Sequence, residues 1–227
     1  MDQVRLNTIA IFVFVLTCSV LLGPWLNISP ALPALAIVSV LGLVTFDALG
    51  FQGKGVTLFL DSFAQRSPVY KERILRHEAG HFLVAHLLEV PLTGYTLSAW
   101  EALKQGYPGQ GGVMFGSPES ERGNLSATLL DRYCTVWMAG GAAESLVYGT
   151  VEGGEDDLQK LRSTLTHLRL EWKSKQRSAV LQARDLLQSH WSAYEALVEA
   201  MAQRASTAEC CQVIEHHRQE TPAPSTF

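Results

Sequence analysis

The stretch His77-Glu78-Ala79-Gly80-His81 decides how the rest of the chain is interpreted. Two histidines four residues apart lie on one face of a helix, so both imidazoles can reach a single metal ion. Glu78 lies beside that face, where its carboxylate can accept a proton from a metal-bound water. This pattern is typical of zinc hydrolases, in which the carboxylate is the general base. The sequence therefore predicts zinc as cofactor, His77 and His81 as metal ligands, and Glu78 as the catalytic residue.

The flanking residues support a helix over about 68–89. Ser67-Pro68 is a typical N-cap followed by proline at the first helical position, and Pro91 ends the pattern. Ala79 and Gly80 are small, which leaves room for a metal ion and a substrate against the helix. The alternative is a surface helix on which two histidines align by coincidence.

Composition narrows the classes of function. The net charge is −4, and no basic cluster with interleaved aromatic residues occurs, so we expect no nucleic-acid partner. No phosphate-binding loop of the form GxxxxGK[ST] is present. The four cysteines lack CxxC spacing, which favours reduced thiols in a protein that faces the cytosol.

The N-terminal region predicts a membrane anchor. Residues 6–46 contain no charged side chain, and Gly23-Pro24 and Pro30 interrupt them. Since about 20 residues cross the hydrocarbon core, we interpret 1–50 as a transmembrane hairpin with spans at about 6–25 and 31–50. A cleaved signal peptide fits less well because a second apolar run follows directly.

The cations predict the orientation of this hairpin. Arg5 precedes the first span, the turn has no cation, and five cations follow the second span within residues 54–76. By the positive-inside rule, both termini and the zinc domain then lie on the cytoplasmic or stromal side. The sequence thus predicts an integral membrane protein with two spans.

Short strands are expected after the zinc helix, at 94–98 and 112–115, separated by a loop with glycine and proline. A strand beside a zinc helix can pair with an extended peptide by edge addition. Two strands that close a small structural sheet are the alternative.

Helices are predicted for most of the remaining chain. One ends near Tyr148-Gly149 and contains the small residues Ala139-Gly140-Gly141-Ala142-Ala143, which are costly in a helix unless another backbone packs closely there. We expect that run to pass against the zinc helix. The other predicted segments are a connector at 51–66, helices at about 155–172, 175–204 and 207–216, and a disordered tail at 219–227.

The acidic start of the helix at residue 155 allows two interpretations. Glu155-Asp156-Asp157 is explained by capping and by the helix macrodipole. Alternatively, one of these carboxylates is the third zinc ligand.

Several linked features resemble the FtsH family of membrane-anchored zinc metallopeptidases. Arg76 to His81 resembles its zinc helix. Gly141-Ala142-Ala143-Glu144 with Tyr148-Gly149 is similar to its second helix, and Gly154 to Leu158 is similar to the segment that supplies its acidic ligand. The resemblance implies a mainly α fold, with a helical zinc-peptidase domain at 67–218 and a small β-sheet. It implies zinc binding by His77, His81 and Asp157, with Asp156 the runner-up. Glu78 would be the base and Glu144 a supporting residue.

The chain also departs from that family. No ATP-driven unfoldase module separates the predicted anchor from the zinc helix. The resemblance therefore implies a stand-alone metalloendopeptidase acting on unfolded or membrane-near polypeptides. A homo-oligomer or an ATPase-bearing protease partner is compatible with it. The alternatives are a catalytically silent scaffold or chaperone-type relative and an intramembrane zinc protease, which the cations just before His77 disfavour.

Overall fold

The computed structural model describes residues 3–23, 25, 29, 31–50, 67–106, 111–115 and 126–220. This part of the chain is mainly helical with a two-stranded sheet. The chain divides into two compact units, one of Met1–Ser67 with Ser98–Gln110 and one of Pro68–Leu97 with Gly111–Phe227. The elements are α1 (Gln3–Leu22), α2 (Ala31–Gly50), α3 (Pro68–Leu87), β1 (Leu92–Thr96), α4 (Ala99–Lys104), β2 (Gly112–Phe115), α5 (Ala127–Tyr148), α6 (Glu155–His167), α7 (Trp172–Ser189), α8 (Trp191–Ala202) and α9 (Thr207–Glu220).

The first unit contains α1, α2 and α4, and it corrects the predicted membrane anchor. In the stretches that the structure describes, no helix combines the length and the apolar character that crossing a bilayer requires. The predicted two-span hairpin is therefore wrong, and so is the localisation as an integral membrane protein with both termini on the cytoplasmic side. The prediction rested on the absence of charge over residues 6–46. Absence of charge is a weaker condition than about 20 consecutive, predominantly apolar residues in one helix. The predicted connector at 51–66 lies outside the described residues.

The second unit is organised by the packing of α3 against α5. A Cβ built on Gly80 would lie 2.8 Å from both the carbonyl oxygen of Ala139 and the Cβ of Ala143. Real Cβ contacts do not occur at that distance, so glycine is needed for the two helices to approach this closely. The expectation that the small-residue run of α5 passes against the zinc helix is confirmed.

Local signals explain where these two helices end. After α3, Glu89 adopts a left-handed φ of 55°, and the N–H of Val90 donates to the carbonyl of Ala85 at 2.8 Å. This closes the helix two residues before the predicted end. Helix α5 begins after Ser126, whose hydroxyl accepts from the N–H of Leu129, and it ends at Gly149 with φ 72°. Such serine N-caps and left-handed glycines satisfy backbone groups that the helix ends leave unpaired.

The sheet is a single antiparallel pair. β1 aligns Tyr95 opposite Val113 and Thr96 opposite Gly112, with an irregularity between Leu92 and Gly94. β2 matches the predicted 112–115, whereas β1 begins two residues before its predicted start.

The C-terminal helices differ from the prediction in two places. Helix α6 ends at His167 instead of 172, because Arg169 adopts φ 57° and Leu170 bonds back to Leu165. The helix predicted at 175–204 is two helices, α7 and α8, which meet at His190. Helix α9 continues to Glu220, into the predicted tail, and residues 221–227 lie outside the described part.

Candidate metal centre

The paired histidines lie on the buried face of α3. His77 is 7% exposed and His81 is 5% exposed. Their Nε2 atoms are 3.0 Å apart, as expected for neighbours one helical turn apart. Two imidazoles thus present the same ring nitrogen to one point.

Asp157, in the first turn of α6, completes the group. Its Oδ2 lies 3.4 Å from Nε2 of His77 and 3.2 Å from Nε2 of His81. A tetrahedral site with metal–ligand distances of about 2.0–2.1 Å has ligand atoms roughly 3.3 Å apart. These three ligand atoms therefore have the separations that a zinc site needs, and the group could hold a metal ion. Asp156, the runner-up, is exposed and does not belong to this group.

The second nitrogen of each imidazole has a fixed acceptor. Nδ1 of His77 donates to Oε1 of Glu144, and Nδ1 of His81 donates to the carbonyl oxygen of Val136, both at 2.7 Å. An ionised carboxylate and a carbonyl can only accept, so Nδ1 carries the proton in both rings. In the neutral form of each ring the lone pair is then on Nε2, which is how metal-binding histidines are commonly oriented. The donor set fits zinc.

Gly140 of α5 allows the helix backbone to reach this group. A Cβ built on Gly140 would collide with the Nε2 atoms of both His77 and His81. The backbone of α5 therefore forms one wall of the site. Glycine at this position lowers the helix propensity of α5, but it leaves the space that the two imidazoles occupy.

The charges around His77, His81 and Asp157 favour binding of a cation between them. Burial lowers the pKa of His77, but its bonds to Asp157 and Glu144 outweigh burial and raise that pKa to about 10. Burial raises the pKa of Asp157, but the charge of His81 and the bonds from His77 and His81 hold it well below its usual range. Two carboxylates thus create a negative potential at the ring nitrogens. The potential that retains a proton on His77 also attracts a metal ion, which would release that proton on binding.

Glu78 is tied to the sheet. Its Oε2 accepts a hydrogen bond of 2.9 Å from the backbone N–H of Val113 in β2. In the antiparallel pair Val113 lies opposite Tyr95, and its N–H donates to Glu78 of α3. This contact orients the Glu78 carboxylate. Strand periodicity predicted β2, but nothing in the sequence indicated that it would contact Glu78.

Glu144 was assigned a supporting role only through the family resemblance. The structure buries it, 1% exposed, among four donors. They are Nδ1 of His77, Nη1 of Arg73, and the backbone N–H groups of Glu152 and Gly153. Burial raises the pKa of Glu144, but the bonds from His77 and the Glu152 amide outweigh burial and lower it. The sequence signal for Glu144 was an acidic residue within the small-residue helix α5. No sequence signal indicated that Arg73 would contact it.

Comparison with known proteins gives partial similarity to one family. No protein-family profile matches the chain. The ATP-dependent zinc metalloprotease FtsH of Thermobaculum terrenum is 31% identical over 131 residues, which are 56% of this chain and 18% of that protein. The FtsH of Marinobacter nauticus is 27% identical over 48% of the chain, and that of Mycoplasma mobile is 33% identical over 42%.

The similarity to these proteins covers only part of each of them. The chain spans less than a fifth of the length of these curated relatives. Low identity over about half of the chain indicates a distant relationship to the FtsH zinc metalloproteases and a function related to zinc peptidases.

Proposed function

We propose that this protein is a zinc metalloendopeptidase that hydrolyses peptide bonds of unfolded polypeptides. One observation carries the proposal: the ligand atoms of His77, His81 and Asp157 converge at zinc-site separations, with Glu78 on the same helix beside them. The distant similarity to FtsH zinc metalloproteases supports the same chemistry.

Each residue has a role in this proposal. His77, His81 and Asp157 hold the zinc ion, while Glu144 and the carbonyl of Val136 keep the imidazoles in the required tautomer. Zinc, when bound, would polarise the scissile carbonyl and acidify a water molecule. The Glu78 carboxylate accepts the proton of the attacking water and passes it to the departing amine nitrogen.

The proposed substrate class follows from access to the site. The N–H of Val113 donates to Glu78, so β2 lies beside the carboxylate of the proposed base. An extended polypeptide could align along β2, pairing with backbone groups other than the Val113 N–H, and bring a peptide bond toward Glu78. A folded domain lacks such a free segment, so we propose flexible or unfolded chains as substrates. We also propose assembly as a homo-oligomer or with an ATPase-bearing protease partner, whose ATPase would extend the range to folded proteins.

The test combines zinc content with cleavage of an unfolded, fluorogenic polypeptide by the full chain. Glu78→Gln should retain zinc and lose cleavage, because the amide cannot accept the water's proton. His77→Ala and His81→Ala should lose both zinc and cleavage. Parental cleavage by Glu78→Gln would contradict the mechanism. Zinc bound by the parent protein without any cleavage would favour the silent scaffold instead.

A further inference from the structure

Arg73 lies on α3 one turn before His77 and contacts three side chains. Its Nη1 donates to Oε2 of Glu144 at 2.9 Å, and its Nη2 lies 3.3 Å from Oε1 of Glu152. The guanidinium carbon is 4.4 Å from the centroid of the Tyr148 ring. The Arg73 side chain is 14% exposed, so the guanidinium is largely shielded from solvent. Its planar fork and its stacking surface are both used, and lysine would not reproduce this combination.

The Glu144 carboxylate lies between the metal site and the loop that leads to Asp157. Its Oε1 accepts from Nδ1 of His77 and from the N–H of Gly153, and its Oε2 accepts from Arg73 and from the N–H of Glu152. A Cβ on Gly153 would lie 2.7 Å from Oε1, so the loop backbone is in direct contact with the carboxylate. Helix α6, which carries Asp157, begins two residues after Gly153. The same carboxylate therefore positions one ligand directly and another through the loop.

We propose that Arg73 is a positioning residue of the metal site. It neutralises the buried Glu144 carboxylate and, through Glu152, closes the loop that precedes Asp157. The arginine thus fixes the distance between the two histidines on α3 and the aspartate on α6. This inference rests on the proposed zinc function and adds to it a residue outside the HExxH motif.

An ordinary stabilising ion pair would have different consequences. Arg132 on α5 also pairs with a glutamate, Glu89, at 3.4 Å, but neither residue contacts the metal group. Loss of that pair should leave the metal site unchanged. Loss of the Arg73 contacts should instead leave a buried carboxylate without its cation and release the loop amides.

The experiment uses the full chain and two measurements. The first is the zinc dissociation constant by competition with a chromophoric chelator. The second is hydrogen–deuterium exchange at the amides of Glu152 and Gly153 in metal-free protein. The variants are Arg73→Met, which keeps the length of the side chain without its charge, Arg73→Lys, and Glu152→Gln. Arg132→Met is the matched control.

Arg73→Met should weaken zinc binding about 10-fold or more, the usual effect of removing groups that orient metal ligands. Exchange at Glu152 and Gly153 should become faster. Arg73→Lys should recover part of the affinity, and the control should match the wild type. Unchanged affinity and exchange in Arg73→Met, or an equal loss in Arg132→Met, would overturn the proposal.

Two further outcomes are separable. If Arg73→Met does not fold, Glu152→Gln tests the proposal instead, because that exposed side chain can be replaced without unfolding the protein. Unchanged hydrogen–deuterium exchange at the loop amides of Glu152→Gln would then overturn the proposal. If the wild type binds no zinc, the proposed function fails, whereas faster loop exchange in metal-free Arg73→Met would still support the role of Arg73 in holding the loop.

Discussion

Replacement of Gly140 by alanine tests the metal centre most directly, since the adjacent Gly141 provides a matched control in the same helix. A Cβ on Gly140 would collide with Nε2 of both His77 and His81. Among the residues that the structure describes, a Cβ on Gly141 would meet Cγ1 of Val151 alone, at a contact distance of 3.4 Å. Both substitutions improve helix propensity by about 1 kcal/mol. Any difference between them therefore reports the contact with the imidazoles.

The structure sets the expected magnitudes. Gly141→Ala should raise the free energy of unfolding by up to about 1 kcal/mol, which corresponds to a Tm increase of roughly 2–4 °C for a chain of this size. In Gly140→Ala, overpacking costs about 1–3 kcal/mol and cancels or exceeds the same gain. Relieving the collision requires a shift of about 1 Å, whereas metal sites tolerate about 0.2 Å. Zinc affinity should therefore fall on the order of 100-fold, or about 2.7 kcal/mol.

The assay is thermal unfolding in the presence of a chelator, followed by zinc competition at a temperature where both variants are folded. The first measurement reports the helix and the packing, and the second reports the metal site alone. Equal zinc affinity in Gly140→Ala and Gly141→Ala would refute the reasoning. It would mean that the imidazoles do not hold a metal in the arrangement described.

Two further predictions concern the third ligand and the packing of α3. Asp157→Ala should lose zinc, because it removes the anionic ligand atom 3.2 Å from Nε2 of His81. Asp156→Ala should retain zinc, since that side chain is exposed. Metal analysis of the purified variants checks this, and equal zinc content in the two would contradict it. Tyr194→Phe removes the hydrogen bond of 2.9 Å that the phenol of the buried Tyr194 donates to the carbonyl of Arg76. It should cost about 1 kcal/mol, seen as a Tm decrease of roughly 2–4 °C with zinc affinity preserved, and an unchanged Tm would contradict it.

Membrane association shows where composition alone misled. The prediction of two spans used the absence of charge over residues 6–46, which describes what the segment lacks and not the apolar length of a helix. The described helices do not meet that requirement. The break at His190 was missed for a related reason, since nothing in the apolar periodicity of 175–204 marks an end to α7.

The amino-acid sequence by itself determined the local half of the site. The helical repeat is set by backbone geometry, so the spacing of His77 and His81 was enough to place both imidazoles on one face. The same applies to the start of α3 at Pro68 and to the two ends of α5, where Ser126 and Gly149 act on backbone groups within a few residues.

Only the tertiary structure decided which groups surround that face. Asp157 is 76 residues from His81 and Glu144 is 67 residues from His77. They meet because α5 packs against α3 and α6 packs against α5. From the residues alone, Glu155-Asp156-Asp157 was also explained by helix capping and by the macrodipole. Arg73 and Val113 carried no signal, since their roles depend on contacts across the fold. Helical periodicity acts over a few residues, whereas packing brings together side chains that the sequence keeps far apart.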